Sequence, residues 1–536
     1  MGISILSLAA ALCAVSSSPP AAAQQFGPAA VARQPRPDAP SATEAEIAAS
    51  PAGAIPSGRG AAPAAAASSP AAGVCGNATP PDGSQLPSAA ALVGLVKDWV
   101  QAINSADDPA YLRFVEERGP VQRGNDRKQW LEFRDFLRGM EYCGVKSANA
   151  GAVELWVFDP NLDSYGIWRF ESGATGADKI RFAGGSFTDE VPPGAARPPK
   201  LALPALIEAI DARAASRAAK DQFSGAILVA QGGRVLFEKA YGLADRARRR
   251  PNTLGTQFRF GSMGKMFTAV AIMQLVERGK IDLQAPIGRY LANYPERDIA
   301  TKVTVAHLLS HTGGTGNIFG PDFDRKRASL RSTKDYVDLY GARAPEFAPA
   351  SRQSYSNYGF ILLGRIVEEV SGIGYDDYIG RNIFKPLGMA STGNQPESEA
   401  LRHRAVSYTG SGAQLKSAED TLPLNGTAAG GGYATVGDFN RFVRGLVSHR
   451  LLRAETLQKL IDGGVKTADG KFAGFDFGET VPDAGRFIGH GGGAPGMSGQ
   501  LQHFLKSGVT VVVLANRDPP TSESIAMFAA HRLPAK

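Results

Sequence analysis

Ser262 and Lys265 are three residues apart at the start of a segment whose apolar residues recur with helical spacing. Residues three apart on a helix share a face, so the lysine nitrogen can reach the serine hydroxyl. A lysine whose pKa is lowered by burial and by neighbouring charges can remove the serine proton and create a nucleophile. The helix N-terminus adds positive potential where an oxyanion would develop. The alternative is a serine that caps the helix beside a solvated lysine.

Tyr355 and Asn357 are two residues apart in an aromatic segment, before a helix predicted to start near Gly359. A phenol beside a lysine ammonium can have a lowered pKa, which suits it to pass a proton between a serine, a leaving group and water. The carboxamide of Asn357 could hold Lys265 or a substrate carbonyl. The alternative is an aromatic loop that packs on the core, with Asn357 capping the helix that follows.

A glycine-rich segment, His490-Gly491-Gly492-Gly493, follows a predicted strand near the end of the chain. Because glycine has no side chain, the backbone of a ligand can approach this segment closely. Its backbone N–H groups could complete an oxyanion hole with the N–H of Ser262. Similar sequences occur in α/β-hydrolases, but the Gly-x-Ser-x-Gly elbow of those enzymes is absent from this sequence. The alternative is a glycine-rich turn.

Other patterns argue against several classes of protein. His307 and His311 are four residues apart, but the segment between them lacks the glutamate of a zinc-protease motif, and residues 311–314 are expected to begin a loop over a cleft. Neither a Gly-x-Gly-x-x-Gly motif nor a P-loop supports a nucleotide site, and we expect no metal and no other cofactor. The formal net charge of +7 is small for 536 residues, and nucleic-acid binding is not expected.

The first 87 residues differ in composition from the rest of the chain. Residues 3–15 are apolar and residues 21–23 are alanines, so residues 1–23 are predicted to be a signal peptide, although the usual basic start is missing. Residues 24–87 are rich in alanine and proline and are predicted to form a disordered linker. We therefore expect an exported protein, periplasmic or secreted, without a membrane-spanning segment after signal removal. Cys75 and Cys143 could pair in an oxidising compartment or remain thiols.

The remaining chain is predicted to form two domains. Residues 88–193 have helical patterns followed by strand patterns, which predicts a small α+β domain that resembles the cone-shaped nuclear-transport-factor-2 type. Docking or folding support is the expected role of this domain. In residues 200–536, strand patterns at both ends flank a mostly helical middle. An α+β fold is expected there too, with one antiparallel sheet, a largely helical insertion and a cleft between the halves.

Three short motifs occur in the order found in the serine β-lactamase-like family, which this chain resembles: Ser262-x-x-Lys265, Tyr355-x-Asn357 and His490-Gly491-Gly492. That family includes class C β-lactamases, DD-peptidases, family VIII carboxylesterases and D-aminopeptidases. The resemblance covers about residues 221–533, and residues 282–287, 308–314 and 430–438 support it. It implies a β-lactamase/transpeptidase-like fold and a serine hydrolase that works through an acyl-enzyme.

The resemblance also implies a role for each motif residue. Ser262 would be the acylated nucleophile, Lys265 its base and Tyr355 the proton relay for acylation and deacylation. The N–H groups of Ser262 and Gly493 would form the oxyanion hole. The residues implied to bind or orient the substrate are Asn357, His490, Gly491 and Gly492.

One departure from the family pattern bears on the substrate. The third motif is typically Lys-Thr-Gly in β-lactamases and DD-peptidases, where its cation and hydroxyl bind a substrate carboxylate. Here His490 and its glycines offer no hydroxyl and are expected to offer a cation only at low pH. The sequence therefore favours an ester, peptide or amide substrate. The alternatives are a penicillin-interactive β-lactamase or DD-peptidase, and a catalytically idle binding protein with the same fold.

Overall fold

The computed structural model describes Cys75 and most of the chain from residue 87 onward. The described residues are 75, 87–105, 107–119, 127, 130–131, 134, 137, 139–149, 151–173, 176–188, 190–396, 402–410, 412, 415–418, 423–468, 470–481 and 484–534. They all belong to one compact unit. The predicted signal peptide lies outside the described residues, as does the predicted linker apart from Cys75 and residue 87.

A small antiparallel sheet and two helices come first along the chain. The sheet has the strand order β1-β2-β3-β4, and these elements are α1 (Pro87–Asn104), α2 (Asp108–Arg118), β1 (Glu141–Ala148), β2 (Ala152–Asp159), β3 (Ser164–Gly173) and β4 (Gly176–Thr188). Helix α1 packs its apolar face on the sheet, and the ring centroids of Trp99 and Trp168 are 5.8 Å apart in that core. A disulfide joins Cys75 to Cys143 on β1.

A six-stranded antiparallel sheet dominates the rest of the molecule, with the order β15-β16-β17-β18-β5-β6. Its strands are β5 (Gly225–Gln231), β6 (Arg234–Tyr241), β15 (Gly478–Val481), β16 (Gly485–Ala494), β17 (Met497–Phe504) and β18 (Val509–Ala515). Strands from the two ends of this region pair directly, β18 with β5. The expected α+β architecture, one sheet built from both ends, is confirmed, and the turn between β5 and β6 is Gly232-Gly233, both with positive φ.

Short strands and helices fill the segment between β6 and β15 and flank the sheet. The short strands are β7 (Leu243–Asp245), β8 (Arg250–Pro251), β9 (Phe258–Arg259), β10 (Tyr408–Thr409), β11 (Lys416–Ser417), β12 (Tyr433–Ala434), β13 (Gly464–Lys466) and β14 (Phe472–Gly474). The helices are α3 (Leu203–Ala219), α4 (Lys265–Glu277), α5 (Arg297–Lys302), α6 (Val305–Leu309), α7 (Pro321–Lys326), α8 (Thr333–Tyr340), α9 (Asn357–Ser371), α10 (Tyr375–Ile379), α11 (Lys385–Leu387), α12 (Val436–Val447), α13 (Ala454–Asp462) and α14 (Thr521–Arg532).

The central strands β5 and β18 of the large sheet are buried on both faces, as their apolar sequences require. Successive side chains of a strand point to opposite faces. On β18, Val512 and Leu514 join the core formed with the helical insertion, whereas Val511 and Val513 pack on the opposite side with α3 and α14. Helix α4 lies in the first core and is buried on every side from Lys265 to Leu275, which explains its apolar sequence.

The small sheet docks on α3 and α14 through the turn between β2 and β3. Arg213 on α3 donates to the carbonyl oxygens of Pro160 (2.8 Å) and Asn161 (3.2 Å). Asp163 in the same turn forms an ion pair with Arg532 at the end of α14. Both side chains are largely buried, at 8% and 15% exposure. The two sheets are therefore connected by polar contacts that water reaches poorly.

Several boundaries differ from the sequence-based predictions. The glycines after His490 lie inside β16, not beyond its end. Helix α9 begins at Asn357 because Ser356 is its cap, so Asn357 does not cap the helix. Strand β1 and helices α2 and α3 were not predicted, whereas the described residues between 127 and 137 are helical, as expected for that segment.

Candidate active site

Ser262 lies in a tight turn, Gly261–Gly264, that leads into α4. Gly261 has a φ of +54°, which a residue with a side chain rarely adopts, and this places the turn against β16. A Cβ atom at Gly261 would lie 3.3 Å from the nitrogen of Gly493. The turn therefore brings the Ser262 backbone next to the glycine-rich strand.

Lys265 is buried at the start of α4, with 1% of its surface exposed. Its Nζ atom lies 3.3 Å from Ser262 Oγ, 2.8 Å from Asn357 Oδ1 and 2.6 Å from the carbonyl oxygen of Ala429. Burial lowers the pKa of Lys265 to about 7, against a smaller opposing effect of the negative charge on Asp476. A neutral amine is therefore well populated at neutral pH.

Tyr355 contacts the same serine from the solvent side. Its hydroxyl donates to Ser262 Oγ at 2.8 Å, and 41% of its surface is exposed. The expectation of a lowered pKa is wrong: the surrounding protein and the charge of Asp476 both raise the pKa of Tyr355. The phenol therefore keeps its proton at neutral pH and acts as a donor toward Ser262.

Asn357 is the first residue of α9 and connects Lys265 to a neighbouring loop. Its Oδ1 atom accepts from Lys265, and its Nδ2 group donates to Asn317 Oδ1 at 3.0 Å. The cap of this helix is the Ser356 hydroxyl, which accepts from the N–H of Gly359 at 2.9 Å. Asn357 is therefore free of the capping role and orients the lysine amine.

The glycines of β16 lie close to the turn that carries Ser262. A Cβ atom at Gly492 would collide with the carbonyl oxygen of Phe260 and lie 3.1 Å from the Ser262 nitrogen. At Gly491 it would lie 2.6 Å from the side chain of Gln500. His490 and Gly492 are two residues apart on one strand, so the imidazole is on the sheet face that meets the Ser262 turn.

Two further residues, Asp476 and His311, belong to the site but were not predicted as site residues. Asp476 Oδ2 lies 2.9 Å from His311 Nε2 and 2.8 Å from His490 Nε2. The ring of His311 also packs on the ring of Tyr355, with centroids 4.4 Å apart. His311 was interpreted as the start of a loop over the cleft, in preference to a metal ligand, and nothing in the sequence around Asp476 indicated that a loop would bring it here.

The described part of the chain offers no group of three or more histidine, cysteine, aspartate or glutamate side chains that could hold a metal ion. One oxygen of the carboxylate shared by the two imidazoles, Asp476 Oδ2, already has a hydrogen bond to each ring. What the site does contain is a hydroxyl in contact with an amine whose neutral form is well populated and with a protonated phenol. Such a set can activate the hydroxyl as a nucleophile and return the proton to a leaving group.

Comparisons with known proteins identify the family of this chain. Residues 208–536 match the family model described as Beta-lactamase. Penicillin-binding protein 4* of Bacillus subtilis is 28% identical over 331 residues, covering 58% of this chain and 72% of that protein. Esterase EstB of Burkholderia gladioli is 35% identical over 184 residues, 31% of this chain and 45% of the esterase. A D-stereospecific amidohydrolase structure from Streptomyces is 27% identical, with a TM-score of 0.50, covering 59% of this chain and 97% of that one.

Proposed function

Because the chain belongs to the beta-lactamase family and is a serine hydrolase, we propose that it cleaves ester or amide substrates through an acyl-enzyme on Ser262. The observation that carries this proposal is the hydrogen-bonded set of Tyr355, Ser262 and Lys265. The support is that a phenol at 2.8 Å and an amine at 3.3 Å, the candidate acid and base, both contact one hydroxyl.

Acylation begins with transfer of the Ser262 proton to Lys265. The neutral amine has two hydrogens, and two of its three partners, the Asn357 oxygen and the Ala429 carbonyl, can only accept. The nitrogen lone pair is therefore left for the Ser262 hydroxyl. As that proton moves to Lys265, Ser262 Oγ forms a bond to the substrate carbonyl carbon.

The negative charge that develops on the carbonyl oxygen needs hydrogen-bond donors. The N–H groups of Ser262 and Gly493 are the donors we assign to this oxyanion hole, since the turn and β16 bring them together. When the intermediate collapses, the Tyr355 hydroxyl gives its proton to the leaving group, and the proton held by Lys265 replaces it. The amine is then neutral again.

Hydrolysis of the acyl-enzyme reuses the same base. A water molecule at the position left by the leaving group gives a proton to Lys265 as its oxygen attacks the ester carbonyl. Ser262 Oγ leaves and recovers its proton, and the acid product departs. Since the raised pKa of Tyr355 disfavours a phenolate, Lys265 is the base in both half-reactions and Tyr355 the relay.

We infer the substrate class from the third motif, His490-Gly491-Gly492. Both ring nitrogens of His490 contact protein acceptors, Asp476 and the Gly491 carbonyl, so neither is left to bind a substrate carboxylate. A charge-assisted contact of that kind contributes about 1.5–3 kcal/mol where it exists. The similarity to an esterase and to a D-stereospecific amidohydrolase supports the same reading. We therefore place simple esters and amides ahead of β-lactams and D-Ala peptides.

We also propose that the protein is exported, to the periplasm or the medium. The disulfide between Cys75 and Cys143 supports this, because such bonds persist mainly in oxidising compartments. Among the helices that the structure describes, none is long and apolar enough to cross a bilayer.

We regard the region of residues 88–193 as a domain that supports the hydrolase by docking on α3 and α14.

A matched panel tests the substrate proposal: a p-nitrophenyl short-chain ester, a D-amino acid p-nitroanilide and a chromogenic cephalosporin. Wild type should hydrolyse the ester or the anilide with kcat/KM at least about tenfold above the cephalosporin, and Ser262→Ala should lose this activity. Ser448→Ala, an exposed serine after α12, is the matched control and should retain it. Faster cephalosporin turnover would favour the penicillin-interactive alternative. No turnover, with ligand binding that survives Ser262→Ala, would favour the binding protein.

A further inference from the structure

One carboxylate oxygen joins the loop after α6 to strand β16. Asp476 Oδ2 accepts from the Nε2 groups of His311 and His490, at 2.9 Å and 2.8 Å. Asp476 and His311 both have left-handed backbones, with φ of +55° and +57°. Residues with side chains adopt this conformation at a cost in free energy, and such residues cluster where geometry serves function. Two of them meet here at a single hydrogen bond.

His311 is fixed from both sides in one tautomer. Its Nδ1 atom accepts from the N–H of Ser356 at 3.1 Å, so Nε2 carries the hydrogen donated to Asp476. Burial keeps the pKa of His311 below its usual value. Its carbonyl oxygen accepts from the N–H of Ser354 at 2.9 Å. His311 therefore holds the residues on either side of Tyr355.

His490 differs from His311 in that both of its ring nitrogens face hydrogen-bond acceptors. Its Nε2 atom faces Asp476, and its Nδ1 atom faces the carbonyl oxygen of Gly491, so both nitrogens need a hydrogen and the imidazolium form suits the site. Burial opposes that charge, but Asp476 outweighs it and raises the pKa of His490. The expectation that His490 offers a cation only at low pH is corrected accordingly: its charge persists to higher pH, balanced by Asp476.

We propose that Asp476 is a positioning residue of this hydrolase: through His311 it holds the loop of Tyr355, through His490 it holds β16, and its charge acts on Lys265. The inference rests on the proposed roles of Ser262 and Lys265. The titratable groups that act on this cluster come from four elements: Lys265 on α4, Tyr355 before α9, His311 after α6 and His490 on β16.

Asp476→Asn separates charge from geometry. Since both imidazoles donate to the same oxygen, the single oxygen of an asparagine amide can accept both hydrogen bonds. Loss of the negative charge lowers the pKa of both His490 and Lys265, so the acid limb of kcat/KM for a neutral ester should move to lower pH by about half a unit or more. Asp338→Asn removes an exposed carboxylate on α8 and should leave the limb in place.

Ring-proton NMR titration gives a readout that does not depend on turnover. In the wild type, His490, assigned by its loss in His490→Gln, should titrate above the ordinary value of about 6.5 and His311 below it. In Asp476→Asn the His490 midpoint should fall. This wild-type measurement needs no variant of Asp476 and stands even if that variant does not fold.

The outcomes are distinct. The inference would be overturned if the His490 midpoint and the midpoint of the acid limb did not move in a folded Asp476→Asn variant. It would also be overturned if this variant lost the same fraction of activity at every pH. A wild type that forms no acyl-enzyme would instead defeat the proposed function. In that case the NMR titration still decides: an ordinary His490 midpoint overturns the role of Asp476, and a raised one that falls in Asp476→Asn supports it.

Discussion

Lys265 Nζ lies 3.3 Å from Ser262 Oγ and also contacts the Asn357 oxygen and the Ala429 carbonyl, which are the two acceptors for its hydrogens when the amine is neutral. The amine is therefore oriented before any substrate arrives, with its lone pair toward the hydroxyl. Because the amine is buried, its neutral form is populated where an exposed lysine would be charged. Helix α4 lies in the core because its residues are apolar. Lys265, its first residue, is therefore buried with the rest of the helix.

The rate of acylation should follow the neutral fraction of Lys265. The pKa of Lys265 is lowered to about 7, so kcat/KM for a neutral ester should rise with pH and level off above a midpoint near 7. Stopped-flow measurements of acylation between pH 5 and 9 determine this midpoint. Lys265→Arg keeps a cation that does not deprotonate and should be inactive throughout this range. A flat profile, or an active arginine variant, would contradict the role of Lys265.

Tyr355→Phe removes the hydroxyl that contacts Ser262 but keeps the ring that packs on His311. Loss of a positioned proton donor typically lowers rates by about 10²–10⁴-fold, and we expect a fall of that size in kcat with a smaller change in KM. Steady-state kinetics with an ester and an anilide measure it, and the anilide, with its poorer leaving group, should suffer more. Tyr336→Phe, a buried tyrosine on α8, is the matched control. A fall in kcat of less than about threefold in Tyr355→Phe would contradict the role of Tyr355 as the proton relay.

The Asp163–Arg532 pair should stabilise the docking of the small sheet. Both side chains are largely buried, so Arg532→Met leaves a buried carboxylate with less compensation, at a cost of about 3 kcal/mol in the free energy of unfolding. All four tryptophans lie between residues 99 and 168, so tryptophan fluorescence in a urea titration reports on this region. The double variant with Asp163→Asn should recover part of the loss. An unchanged midpoint in Arg532→Met would show that the pair contributes nothing to docking.

Glu523 on α14 should make stability depend on pH. Its carboxyl accepts from the Ser498 hydroxyl at 2.7 Å, and burial raises its pKa from 4.5 to about 7. Between these two values the unfolded chain loses the proton while the folded protein keeps it, so this group's contribution to stability falls as pH rises from about 4.5 to 7. Glu523→Gln should therefore raise the Tm at pH 8, by the equivalent of up to roughly 3 kcal/mol, and leave it unchanged at pH 4. Calorimetry at both pH values measures this, and an equal effect at both would contradict the assignment.

Sequence alone indicated the elements that carry strong local patterns. The apolar strands around Val229 and Val512, the helix after Lys265 and the order of the three motifs all follow from residue type and spacing. The spacing of Ser262 and Lys265 also gave their contact, because one helical turn places both on the same face.

Other features depend on contacts between distant segments. Asp476 lies in a loop between β14 and β15 and reaches His311, 165 residues away in the chain, so no local pattern reports the hydrogen bond. The pKa direction of Tyr355 was predicted from a lysine ammonium, but the buried amine tends toward neutrality and Asp476 adds a negative charge. Strand β1 was missed because Tyr142 and Val145 are its only aromatic or β-branched residues.

Intact-protein mass spectrometry tests covalent catalysis by Ser262. Wild type and Ser262→Ala are each mixed with p-nitrophenyl acetate, and the reaction is quenched with acid within seconds. We expect a single added acetyl group on the wild type, located on Ser262 by peptide mapping, and none on the variant. An acetyl group on both proteins, or rapid ester hydrolysis by Ser262→Ala, would contradict covalent catalysis by Ser262.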